Sequence, residues 1–147
     1  MRLDELVRQE GDNITVQWKS FLLRPQSELR DKAEFAEYTK SWERPASLEP
    51  LAKFSTPWSG ENPPPSHSLP AAVAGKTAAT FGEAAWRRYH HQMLRAYFTE
   101  NRDISDSDVL LNLAHEVDID KHIFEETLKA NKEIFETQIF AEHNEAL

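Results

Sequence analysis

Histidine is the residue type here with the widest chemistry, because the sequence contains six histidines and no cysteine. Without cysteine these residues offer no thiol nucleophile, no thiolate metal ligand, no disulfide and no internal Cys-x-x-Cys redox pair. His90 and His91 are neighbours in a helical pattern, so their side chains diverge by about 100° and do not face one metal ion. His115 and His122 lie among aspartates whose helix-capping roles already explain them. We therefore predict no metal site and no bound cofactor.

The stretch Ser66-His67-Ser68 is a second polar cluster, placed in a proline-rich connector just before a helix start. At such a position polar side chains meet backbone donors that the helix leaves free. The plainest interpretation is that Ser68 caps the helix and that His67 bonds to the backbone. Trp58, in the same connector, is interpreted first as a packing residue.

Length and charge narrow the class of protein. A chain of 147 residues corresponds to about one domain. The net charge is −8, and residues 100–147 alone carry 13 acidic and 4 basic side chains, so nucleic acid is not an expected partner. No apolar run reaches the roughly 18 residues of a membrane span, and the start MRLDELVRQEG lacks the apolar core of a signal peptide. We expect a soluble cytoplasmic protein that does not contact a membrane.

These candidate residues must be positioned by elements that are mostly helical. Gly11 ends a first amphipathic helix, and residues 26–40 resemble a surface helix. Residues 41–70 hold seven of the eight prolines and are expected to be an irregular connector. Pro70 suits the first turn of the next helix, which Gly82 interrupts.

The second half of the chain carries the strongest helical patterns. Apolar and aromatic side chains recur at helical spacing from Trp86 to Phe98. Ser105 with Asp108 resembles a capping box, and Asp120 is predicted to cap the following helix. A last helical segment is predicted from four apolar residues at helical spacing: Ile134, Phe135, Ile139 and Phe140.

One stretch, NITVQWKSFLLRP, alternates as a strand does and predicts a strand at residues 14–23. No second strand is predicted after Pro25. A lone strand leaves backbone donors and acceptors unpaired. We therefore expect a protein partner or self-association through residues 14–23.

Several blocks of the sequence, in this order, resemble a known family. They are ITVQWKSFLLRP, PPPSHSLP, LRAYFTENRDISD, DVLLNLAHEVDID and a helix that ends in AEHNEAL. Together they resemble the DsbA-like thioredoxin-fold proteins, with the FrnE-type oxidoreductases as nearest relatives, a group similar in fold to the 2-hydroxychromene-2-carboxylate isomerases. The resemblance implies a mainly α chain that forms the helical insertion domain of an α/β fold.

The resemblance also implies which parts are missing. Such proteins place a Cys-x-x-Cys at the start of the first helix, and a cis-proline loop with further strands after the last one. This chain is thus expected to be truncated at both ends, with no position that matches a catalytic residue. Its expected parts are residues 1–24 from the thioredoxin-like domain, 25–130 as the helical insertion domain, and 131–147 as the helix leading back. The connector would lie near the cleft between domains, so Ser66, His67, Ser68 and Trp58 are candidate cleft-lining residues.

Three hypotheses about function remain open at this point. The first is a member of the thiol-disulfide oxidoreductase family that is inactive as this chain alone. The second is a non-catalytic helical module that binds a partner through its strand and an apolar cleft. The third is the remnant of a glutathione-dependent isomerase, which would need the same absent first loop.

Overall fold

The computed structural model of the chain describes residues 2–49 and 52–147, and the regular structure in these ranges is helical. Its α-helices are α1 (Arg2–Glu10), α2 (Lys32–Thr39), α3 (Glu43–Leu48), α4 (Leu69–Ala79), α5 (Glu83–Phe98), α6 (Ser107–Glu116) and α7 (Lys121–Glu145). Short 3-10 turns follow α1 at Gly11–Asn13 and α2 at Lys40–Trp42. The predicted mainly α fold class is confirmed.

Helices α4 to α7 form a bundle, in which α4 packs on both α5 and α7 and α6 packs on α5 and α7. The main core contains the fully buried side chains of Tyr89, Leu113 and Phe124. The Tyr89 hydroxyl donates a hydrogen bond of 3.0 Å to the carbonyl oxygen of Leu110, which satisfies its only polar group inside the core. Small residues of α4, such as Ala74 at 0% exposure, let the neighbouring helices approach closely.

Aspartates cap the starts of α2, α6 and α7. The carboxylate of Asp120 accepts the Ile123 N–H at 2.9 Å, so the predicted cap of α7 is confirmed. At α6 the prediction was wrong by one residue, because Asp106 rather than Ser105 accepts the free N–H groups of Asp108 and Val109. The two helical segments predicted after Asp120 form one continuous helix of 25 residues.

Residues 14–20 contain no helix or turn, and Ile14 has the extended backbone that the alternation predicts (φ −130°, ψ 144°), but within the described ranges these residues form no β-ladder. The strand predicted at residues 14–23 is therefore corrected to an extended segment. The physical reason is that a strand needs a second backbone beside it, and here α7 occupies that place with side chains. The Ser20 N–H donates to Glu142 at 2.6 Å, and the Leu22 N–H donates to Nδ1 of His143 at 3.3 Å. Leu22 itself is buried against α4 and α7.

The connector between α2 and α4 is less irregular than predicted, since it includes α3. It is held to the end of α5 by Asn101, which is buried and has a positive φ of 51°. The Asn101 side chain accepts the Ser59 N–H and donates to the Ser55 carbonyl oxygen, so one residue fixes two points of the connector. Gly60 is required here, because a Cβ atom would lie 2.0 Å from the Asn101 carbonyl oxygen. The peptide bond between Thr56 and Pro57 is cis.

Candidate functional site

A chain of hydrogen bonds connects His67 to a carboxylate 36 residues further along the sequence. His67 Nδ1 lies 2.8 Å from the Ser66 hydroxyl, which donates to the Ser105 hydroxyl at 3.2 Å. Ser105 in turn donates to Asp103 at 2.6 Å and also accepts the Ser66 N–H at 3.0 Å. The connector is thereby attached to the loop that precedes α6.

Only one end of this chain of bonds has a fixed direction. The Asp103 carboxylate is an acceptor, so the Ser105 hydroxyl donates to it. The direction of the contact between Ser66 and His67 follows from the histidine tautomer. This arrangement differs from a Ser-His-Asp triad, in which the carboxylate holds the histidine, because here Asp103 contacts Ser105 and not His67.

His67 and Ser105 line a cavity of about 390 Å³ between the first turns of α4 and α6 and the first half of α7. Its floor is apolar and its rim is charged. The apolar lining residues are Leu69, Pro70, Val73, Leu110, Leu111 and Leu128. The charged lining residues are Asp108, Glu125, Lys129, Lys132 and Glu136. Because Lys129 and Lys132 already pair with carboxylates of their own helix, the rim offers no strong net charge to a ligand.

The other two candidate residues lie elsewhere. The Ser68 hydroxyl accepts the Arg24 N–H at 3.1 Å, and the Ser68 N–H donates to the Arg24 carbonyl oxygen at 2.9 Å. Ser68 thus occupies the N-cap position of α4 without a side-chain capping bond, and it fastens the end of the extended segment to the helix start. Trp58 is 3% exposed and packs against Phe35 and Tyr97 in a separate aromatic cluster. The structure therefore brings together Ser66 and His67 but not Trp58.

Helix α5 carries a surface that the sequence interpretation assigned wholly to the core. One aromatic group sits near its start, where the Trp18 ring lies 5.3 Å from Trp86 and 5.4 Å from His90. A second group sits at its end, where the rings of Phe54 and Phe98 are 4.9 Å apart. Between the groups is a groove of about 580 Å³, lined by Ala52, Lys53, Phe54, His91, Leu94, Arg95, Phe98 and Thr99. The sequence did contain a signal for this surface. Its large side chains recur four residues apart as well as on the core face, and together they cover more of the helix circumference than one buried stripe does.

The extended segment has two different edges. Successive amides of an extended chain point to opposite sides, so the amides of Ser20 and Leu22 face α7 together. The amides of Thr15, Gln17 and Lys19 make no hydrogen bond to any residue within the described ranges. α7 thus closes the first edge at Ser20 and Leu22, and the second edge faces away from α7.

Glu142 is the residue that closes the first edge most firmly. Its carboxylate accepts from Ser20 and also pairs with Lys76 of α4. Partial burial raises the pKa of Glu142, but the hydrogen bonds from Lys76 and Ser20 outweigh it and hold the pKa below the ordinary value. The junction of α4, α7 and the segment thus depends on an ionised carboxylate.

Two further properties bear on the class of protein. In residues 2–49 and 52–147, no three His, Asp or Glu side chains are grouped so as to hold a metal ion. None of the helices in that part of the chain combines the length and apolarity needed to cross a bilayer.

Comparison with known proteins identifies a family and a relative. The model of the DSBA-like thioredoxin domain matches residues 1–145. The relative is the ClpXP adapter protein SpxH of Bacillus subtilis (strain 168), 26% identical over 95 residues, which are 65% of this chain and 32% of that protein. The matched region thus spans about a third of the relative's length. Since the family match covers nearly every residue, this chain belongs to the DsbA-like thioredoxin domain family.

Proposed function

We propose that this chain acts in protein binding within a DsbA-like protein, and that its own residues carry out no thiol-disulfide exchange. The observation that carries the proposal is the extended segment: in the described part of the chain its amides from Thr15 to Lys19 have no hydrogen-bond partner, whereas Ser20 and Leu22 donate to α7. A backbone with unpaired donors of this kind accepts an added strand. Its partner is a strand of another protein segment or of a second copy.

The absence of cysteine supports the second part of the proposal. Thiol-disulfide exchange proceeds by attack of a thiolate on sulfur, and the 147 residues contain no thiol. Membership of the DsbA-like family supports oxidoreductase activity as a second candidate function, in which a Cys-x-x-Cys and a cis-proline are supplied by other residues. This second candidate function includes three further proposals: the FrnE-type subtype, a cytoplasmic location, and domain boundaries at residues 24 and 130. A glutathione-dependent isomerase would need the same supplied segments.

The relative supports binding over chemistry. Part of this chain is similar to a Bacillus subtilis protein named as a ClpXP adapter. The word adapter describes a binding role. The geometry of this chain fits that kind of activity, since it presents an open backbone edge and an apolar groove.

The binding edge is tested on the purified chain by sedimentation velocity at several concentrations. We expect concentration-dependent self-association, because the open edge can pair with a second copy when no other strand is present. Gln17→Pro removes one outward-facing N–H and should abolish association, whereas Gln17→Ala keeps the N–H and should not. A monomer at every concentration, or equal behaviour of the two variants, would show that this edge binds no strand.

The catalytic part is tested by insulin reduction with dithiothreitol, followed as turbidity. The rate with this chain should equal the rate without protein, because no side chain supplies a thiolate. A rate above that control contradicts the second part of the proposal and leaves the binding edge untouched.

A further inference from the structure

Helix α5 has a core face and a second row of large side chains, which the bundle core uses at its start, where Trp86 packs against it. Ala85, Tyr89 and Ala96 are buried on the core face. A second row at four-residue spacing consists of Trp86, His90, Leu94 and Phe98. At about 100° per residue this row turns away from the core along the helix. Leu94 lies in its middle, between the two aromatic groups.

The surface over Leu94 is continuous from one aromatic group to the other. Leu94 and His91 line both the groove of about 580 Å³ and a smaller pocket of about 100 Å³ beside Trp18 and Trp86. The rise of an α-helix places Trp86 and Phe98 about 18 Å apart. That distance corresponds to about five or six residues of extended chain. The dimensions suit a short peptide segment better than a compact metabolite.

The charge of this surface is opposite to that of the chain. The chain has 25 acidic and 17 basic residues, yet no described residue lining the groove or the smaller pocket is acidic. The rim cations are Lys53, Arg87 and Arg95. Arg87 and Arg95 pair with Glu83 and Glu100, whereas Lys53 has no ion-pair partner in the described ranges.

The two existing pairs do not prevent a ligand from binding. The side chains of Arg87 and Arg95 are 42% and 65% exposed, and ion pairs at such exposure contribute little. A carboxylate from a partner can therefore share or replace them. An apolar bed with a cationic rim is complementary to a segment that carries apolar and acidic side chains together.

We propose that the α5 groove binds a short acidic segment of a partner protein that places one or two large apolar side chains on Leu94 between Phe54 and Trp86. Its carboxylates face Lys53 and Arg95. This inference rests on the proposed function in protein binding and names a second surface for it, separate from the backbone edge at Gln17. The two surfaces recognise different features, since the edge takes any strand and the groove selects charge and side chains.

The groove is tested by fluorescence anisotropy with labelled eight-residue peptides. The probe carries Glu and Asp around one Phe and one Leu; one control replaces the acids by Lys, and another replaces Phe and Leu by Ser. We expect the probe to bind at least about tenfold more tightly than either control. Its affinity should fall as salt is raised, because the rim charges are exposed.

Variants locate the site. Leu94→Lys and Arg95→Glu should each weaken probe binding by about tenfold. Leu94→Lys places a charge on the apolar surface of the groove, and Arg95→Glu reverses a charge at its rim. Lys132→Glu makes the same charge change on α7, outside the groove, and should bind as the parent does. Far-ultraviolet circular dichroism checks that each variant is folded. Phe54→Ala is a further variant for the same binding assay, and it leaves the bundle core intact.

Several outcomes would overturn the inference. The first is that the probe and its Lys control bind equally well. The second is that Lys132→Glu loses as much probe affinity as the α5 variants do. The third is that Leu94→Lys and Phe54→Ala both bind the probe as tightly as the parent chain. Dimerisation that Leu94→Lys abolishes in the absence of peptide would assign the groove to a second copy instead. Failure of the proposed function is separate, because Gln17→Pro removes only the backbone edge and should leave probe binding unchanged.

Discussion

Replacing Glu142 by alanine should weaken the junction between the extended segment and the helical bundle. The carboxylate accepts the Ser20 N–H at 2.6 Å and pairs with Lys76, and the two paired side chains are 21% and 23% exposed. A hydrogen bond to a charged group contributes about 1.5–3 kcal/mol. A largely exposed pair contributes at most about 1 kcal/mol, and this one is better shielded. We expect Glu142→Ala to lower the free energy of unfolding by about 2–4 kcal/mol.

The matched control is Glu145, three residues further along the same helix. Glu145 pairs with Lys19 at 2.5 Å, but its side chain is 61% exposed and its partner 45%. Glu145→Ala should therefore cost less than about 0.5 kcal/mol. Urea unfolding followed by circular dichroism measures both variants against the parent chain. Equal losses for Glu142→Ala and Glu145→Ala would refute the importance of the Ser20 contact.

The same comparison has a pH dependence with a definite sign. Because the pKa of Glu142 is lowered in the folded chain, its contribution is complete above the ordinary carboxyl value of 4.5. It is lost as the pH falls through the lower folded-state pKa. The stability difference between the parent and Glu142→Ala should be full at about pH 7 and much smaller at about pH 3. A difference that does not change with pH would mean that the ionised form is not what stabilises the junction.

Three other substitutions test the packing. Gly60→Ala should destabilise the chain by several kcal/mol in urea unfolding, because the added Cβ would lie 2.0 Å from the Asn101 carbonyl oxygen. Gly75→Ala should stabilise the chain by about 0.5–1 kcal/mol, because Gly75 is helical and an added Cβ meets nothing within 4 Å. The reverse order of stability would contradict this packing. Tyr89→Phe should cost about 0.5–1.5 kcal/mol by the same assay, because the Leu110 carbonyl oxygen, which lies inside α6, loses the hydrogen bond from the Tyr89 hydroxyl. No loss would show that this hydrogen bond does not stabilise the fold.

Local signals in the sequence were sufficient for the helices and for some of their ends. The apolar row from Trp86 to Phe98 predicted α5, and the aspartate at 120 predicted the start of α7. Periodicity also predicted the extended form of residues 14–20. It did not decide whether that segment pairs as a strand, because pairing depends on what lies beside it, and α7 lies there. The cap of α6 was assigned to Ser105 and not to Asp106. Both residue types suit a cap position, so local chemistry alone does not distinguish them.

The candidate site was less predictable than the fold. His67 was singled out from its position before a helix, but its connection to Asp103 depends on bonds between segments 39 residues apart. No short-range pattern predicts such a connection. The α5 groove was missed because large apolar residues were assigned to the core by spacing alone. Some of these α5 side chains pack on the core and others line the groove, and the packing of the other helices decides which.

The continuity of α7 has a consequence for how distant parts of the chain influence one another. One helix of 25 residues, about 37 Å long, lines the His67 cavity with Glu125 and Leu128 and holds the extended segment with Glu142 and His143. A continuous helix of this kind moves largely as one rigid body, so a tilt at one end also moves the other end. We therefore expect that a ligand of the cavity that tilted α7 would change the affinity of the proposed backbone edge for an added strand. By thermodynamic reciprocity, an added strand would then change the affinity of the cavity for that ligand by the same factor.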